Sequence, residues 1–111
     1  MAISNTRLTT TTTTSVYTSS GTNAVTTIIV CNTGEPNLTD ETINASNLTL
    51  YLIPNLGSAS DATTIVKNLT IPAGETVFFS DEKVILSTGD SVRAEASVEN
   101  LLTVTVSTLS V

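Results

Sequence analysis

Histidine and tryptophan are missing from this chain, and cysteine appears once, at Cys31. Without histidine no Ser/His/Asp or Cys/His relay can be built. One thiol cannot close an internal disulfide, and it leaves a Cys/His zinc site with a single candidate ligand. The five glycines stand apart, so none forms a glycine-rich cradle for phosphate. Charged residues make up only 13% of the chain, and the four cations (Arg7, Lys67, Lys83 and Arg93) are scattered. With a net charge of −6 and no basic cluster, neither nucleic acid nor an anionic membrane surface is an expected partner. No apolar run is long enough to span a bilayer. The first residues lack the basic start and apolar run of a signal peptide, so synthesis in a cytoplasm without standard export is expected. Aromatics are scarce too. Tyr17, Tyr51, Phe78 and Phe79 offer a thin platform for stacking sugars, and the two phenylalanines are expected to be shared between core and interface.

What is present points to strands. Ser and Thr together make up about a third of the 111 residues, and Val, Ile and Leu are spread throughout. Thr, Val and Ile are stiff at χ1 and fit a pleated surface better than a helix. One domain of this length needs no disulfide or metal to fold. Turn formers recur between short segments of period two. The clearest is residues 91–98, with Val92, Ala94, Ala96 and Val98 on one face and Ser91, Arg93, Glu95 and Ser97 on the other. Glu99 and Asn100 read as a tight turn, after which Leu102, Val104 and Val106 face inward on the last strand.

In residues 47–53 Leu48, Leu50 and Leu52 share a face. In 63–71 Ile65, Leu69 and Ile71 are expected inside, with Lys67 marking an edge. Residues 76–80 and 83–87 read as two short strands around Asp81 and Glu82. Residues 25–31 read as a central strand covered on both faces. Residues 40–47 have room for one helical turn. These seven or eight strands predict an all-β, two-sheet antiparallel sandwich, Ig-like or jelly-roll, with a closed barrel as the alternative.

The remaining candidates for chemistry have simpler roles. Cys31 lies in the most apolar strand and reads as a small core hydrophobe. The acidic pairs Asp40-Glu41 and Asp81-Glu82 lack the neighbouring oxygen ligands of a calcium loop and read as solvated loop carboxylates. Sequons at Asn37, Asn44, Asn47 and Asn68 are what an Asn/Ser/Thr-rich chain generates by chance. No catalytic residue, cofactor, metal or small-molecule substrate is therefore expected, and the chain does not read as an enzyme.

The N-terminus is different. Six consecutive threonines, Thr9, Thr10, Thr11, Thr12, Thr13 and Thr14, favour extended backbone but offer a core no apolar face. Residues 1–14 are expected to form an extended arm outside a sandwich of residues 15–111, with the threonine run simplest to read as an exposed edge strand or a loose tail. Such an arm could add a strand to a neighbour's sheet. Leu8, the threonine run, Val16 and Tyr17 are then the expected contacts, and removing residues 1–14 should leave a folded domain that no longer binds its partner.

Three stretches carry a resemblance: VYTSSGTNAVTTIIVCNTG (16–34), TTIVKNLTIPAGETVFF (63–79) and KVILSTGDSVRAEAS (83–97). A "VYT…G" opening before an apolar strand, an "I.PAG" turn and an "L..GDS" step into a final hairpin resemble the small β-sandwich virion proteins of tailed bacteriophages, including phages of cyanobacteria. The resemblance covers residues 16–109. The threonine arm, Cys31 and the Asp40-Glu41 loop lie outside its pattern.

It implies a structural part of the virus particle, foremost a decoration (cement) protein on the outer capsid. Its partners would be the major capsid protein or other virion proteins, and copies of itself in a trimer or ring. A neck, tail or fibre component is the alternative within that class. A host-surface binding module is the alternative outside it.

Overall fold

The computed structural model describes residues 2–80 and 84–111, and among them lie nine strands. They are β1 (Ala2–Arg7), β2 (Thr14–Thr18), β3 (Asn23–Asn32), β4 (Ser46–Ile53), β5 (Thr64–Ile71), β6 (Thr76–Phe79), β7 (Val84–Leu86), β8 (Ser91–Ala96) and β9 (Leu102–Ser110). One sheet runs β1-β9-β3-β6, with β7 also paired to β3; the other runs β2-β8-β4-β5. β6 and β7 lie along successive stretches of β3, opposite Ile28–Cys31 and Asn23–Val25 respectively, so they form one interrupted strand and not a hairpin.

The pairings are nested. β4 pairs with β5, β3 with β6 and β7, β2 with β8, and β1 with β9, all antiparallel. A long hairpin rolled over on itself has this order, which selects the jelly roll from the two sandwiches the sequence allowed. Burial explains the roll. Each strand has one apolar face, and wrapping the hairpin brings those faces together between the two sheets.

The inner layer is aliphatic. Val30, Leu48, Leu50, Val92, Ala94, Leu102, Val104 and Val106 are all fully buried. The expected alternation on β8 and β9 is present, and Asn100 takes the positive φ expected at its turn. On β4 it is not: Thr49, Tyr51 and Ile53 are buried along with Leu48 and Leu50, and Leu52 is only half-buried, so this strand is covered on both faces. Val98, expected inside, is exposed because β8 ends at Ala96.

Three expectations are corrected. β3 is central but covered on one face only: Val25, Ile28, Val30 and Asn32 point inward, and Cys31 is half-buried on the outer face. β5 is an edge strand, as Lys67 suggested, but Ile65 and Leu69 are exposed and Val66 packs on the core. Its pairing with β4 shifts register twice and Asn68 takes φ 49°, which flips the pattern. Residues 41–44 form turns, and the helical turn appears instead at Asp61–Thr63, a 3₁₀ turn with Ser60 and Thr63 in a reciprocal capping box.

The arm is also corrected. Ala2–Arg7 is a strand of this chain's own sheet, in register with β9 from Ala2↔Thr108 to Arg7↔Thr103. Leu8 is fully buried at the point where the chain crosses to the other sheet. Its N–H donates to the Leu102 carbonyl and its carbonyl accepts from the Asn100 N–H, both at 2.9 Å. Removing residues 1–14 would strip an edge strand and a core leucine. The physical reason is that β1 carries Ser4 and Thr6 inward, polar positions that alternation in apolar residues cannot reveal.

Candidate functional site

The residues expected to make contacts divide into buried and exposed groups. Leu8 and Val16 belong to the hydrophobic core and cannot serve a docking surface. Tyr17 is half-buried and packs against that core. Thr9, Thr10, Thr11 and Thr12 are exposed on the crossover between the sheets, followed by half-buried Thr13 and Thr14. The crossover is held by its own hydroxyls. Thr10 and Thr12 share a hydrogen bond of 2.8 Å, Thr14 Oγ1 donates to the Thr12 carbonyl at 3.3 Å, and Thr13 Oγ1 donates to Glu95 Oε1 at 2.8 Å on β8. The threonine run is thus a pinned, hydroxyl-rich crest at one end of the sandwich.

A second feature escaped the sequence. On the side away from β1 and β2 the two sheets gape into an apolar cleft of ≈ 470 Å³. Val25, Ile28 and Leu50 form its buried floor, while Leu52, Ile65, Val66, Phe78, Phe79, Ser80 and Val84 line its walls. The edge strands there are short or irregular: β6 has four residues, β7 three, and β5 is bulged. They leave part of the core interface uncovered.

Phe79 packs on the core while Phe78 is 63% exposed at the rim. Among the described residues the lining is apolar except for Ser80, so these walls offer mainly apolar contact. Only the adjacent Phe78-Phe79 pair hinted at it in the sequence.

Elsewhere the polar groups serve local structure. Asp40 Oδ1 accepts from Thr42 Oγ1 at 2.6 Å and from the Thr42 N–H at 2.9 Å, and these bonds hold its carboxyl below the ordinary value of 3.8. Asp81 and Glu82 lie outside the described residues. Among the described residues, no three Cys, Asp or Glu side chains converge as a metal-binding group would require.

The sequon asparagines are similarly engaged. Asn37 Oδ1 caps the Thr39 N–H at 2.9 Å, Asn47 Oδ1 accepts from Thr70 Oγ1 at 2.8 Å, and Asn44 and Asn68 take positive φ. Asparagine tolerates that conformation better than most residues, which accounts for its presence there.

Compared with protein-family models and with curated proteins, the chain matches none. Among the described residues, no helix is long and apolar enough to cross a membrane.

Proposed function

We propose that this chain is a non-enzymatic structural part of a tailed-phage particle: a decoration protein seated on the outer capsid and made in the host cytoplasm. The observation that carries this reading is the nested jelly-roll winding, an architecture that recurs in viral capsid and lectin domains. A fold alone does not choose a function. The sequence resemblance adds the phage class, and the negative charge suits a position outside packaged DNA.

In this reading the major capsid protein is the partner. The Thr9–12 crest supplies hydrogen-bonding contacts at one end of the sandwich, and the rigid body bridges neighbouring shell subunits. Hydroxyl-rich contacts over a preorganised backbone lose little conformational freedom on binding. The neck, tail or fibre alternative uses the same surfaces at a different address.

Copy number per purified particle, measured by quantitative mass spectrometry against the major capsid protein, tests the proposal. A number comparable to the capsid protein supports a decoration role. A number matching one ring or a few fibres transfers the chain to the neck or tail. Absence from purified particles rejects the virion reading.

A further inference from the structure

The sandwich has four free sheet edges, and three of them are blunted. β5 is bulged twice, carries Lys67 and bends at Asn68. β2 is five residues long, with a register shift between Ser15 and Tyr17. The opposite edge of the first sheet is divided between β6 and β7. Bulges, breaks and edge lysines are the devices by which sheets avoid pairing with other chains. β1 has none of them. Its six residues run in unbroken register beside β9, with no proline, no glycine and no charge from Ala2 to Thr6.

Its free hydrogen-bonding groups can be assigned. The Leu8 N–H bonds to Leu102 on the β9 side. In an antiparallel ladder the bonding direction alternates, so Ser4 and Thr6 also face β9, whereas Ile3, Asn5 and Arg7 direct their N–H and C=O groups away from the molecule. The side chains of these three residues are exposed. The Arg7 guanidinium is turned aside, donating to the Asn100 carbonyl at 2.7 Å, and Asn5 Oδ1 accepts from Thr105 Oγ1 at 2.7 Å on the outer face.

We infer that β1 is a self-association edge: two copies of this chain pair β1 to β1, antiparallel, about a two-fold axis at Asn5. The occupant is a second copy because the strand is complementary to itself. Centring on Asn5 sets Ile3 opposite Arg7 of the second copy and Ser4 opposite Thr6. All three outward-facing residues of each strand then bond, and no like charges meet. The contact is isologous and closes on itself, joining the two β1-containing sheets into one continuous sheet. An interface of one short strand per copy is small, so the pair is expected to be weak and to form only at high protein concentration. The inference is independent of the virion reading, since it concerns the purified chain alone.

Sedimentation velocity on the full chain, from micromolar to millimolar, tests it. The expected result is a concentration-dependent monomer–dimer equilibrium. Asn5→Pro removes an outward N–H and no backbone bond to β9, losing only the exposed side-chain bond from Thr105, so it should keep the strand circular-dichroism spectrum and weaken association at least tenfold. Ile3→Lys, which sets a cation opposite the second copy's Arg7, should do the same. Hydrogen exchange gives a separate readout: the Ile3, Asn5 and Arg7 amides should gain protection as concentration rises. A wild-type chain that stays monomeric at millimolar concentration, forms a trimer, or dimerises equally well in both variants would overturn the inference. Loss of the virion reading by copy number would leave these results unchanged.

Discussion

Asn32 Nδ2 lies 2.9 Å from the carbonyl oxygen of Ile71, so a fully buried amide on β3 ties one sheet to the end of β5 in the other. The same nitrogen donates to the Asn44 carbonyl at 2.8 Å, and Asn32 Oδ1 accepts from the Gly34 N–H at 2.9 Å. One side chain thereby satisfies three backbone groups from three segments. Replacing it with alanine strands those groups where water has little access. Asn32→Ala is expected to lower stability by about 3 kcal/mol, read as a fall in the urea midpoint at unchanged slope. An unchanged midpoint would mean that the 33–45 loop does not depend on this clamp.

Leu56 is 99% exposed yet sits at φ 68°, in a turn closed by a 2.8 Å bond from the Gly57 N–H to the Pro54 carbonyl. The turn is anchored by the Asn55 N–H, which donates to Asp90 Oδ1 at 2.9 Å, and Asn55 packs against Gly89 at φ 90°, where a Cβ would collide with it. A branched side chain is strained in that region, and asparagine is not. Leu56→Asn should therefore raise stability by about 1 kcal/mol, seen as a higher melting temperature. A lower melting temperature would show that Leu56 makes a contact in solution that outweighs the strain.

Asp40 titrates below its ordinary value because the Thr42 hydroxyl and N–H both bond the charged form. A carboxyl depressed in the folded state stabilises its loop at pH above the unfolded value of 3.8, and the effect is lost as pH falls through the lower folded value. The Thr42 amide resonance should accordingly shift with an inflection below 3.8 and should not shift in Asp40→Asn. An inflection above that value would contradict the hydrogen-bonded geometry.

The cleft between β5 and β6 should bind small apolar probes. A fluorescent naphthalene sulfonate is expected to brighten with the folded chain. Phe78→Glu, at an exposed rim position, should leave the unfolding free energy within about 0.5 kcal/mol of its original value and remove most of that signal. Equal brightening in the variant would show that the probe binds elsewhere.

Much of the strand content was legible because alternation is local. Val92-Arg93-Ala94-Glu95-Ala96 and Leu102-Thr103-Val104-Thr105-Val106 show their buried faces in the order of the letters, since adjacent side chains in a strand point to opposite sides. Asn100 signalled positive φ by residue type, and it has it. β5 was misread because a bulge leaves no local mark in apolar residues: Ile65 and Val66 are neighbours in the chain, and only the register against β4 decides which turns inward. Of the expected contacts, Thr9 through Thr12 are at the surface, while Leu8 and Val16 are held in the core by partners far away in sequence.

The residues along the chain thus specified an all-β domain, its strongest strands and the lack of histidine-based chemistry, because these depend on residue type and a two-residue period. Tertiary structure decided that Ala2 lies beside Thr108, that the hairpin rolls into a jelly roll, which edges stay open and where the sheets gape. Those choices are made by burial summed over the whole chain. A strand with one apolar face can satisfy it against several partners, and only the complete set of pairings closes the core.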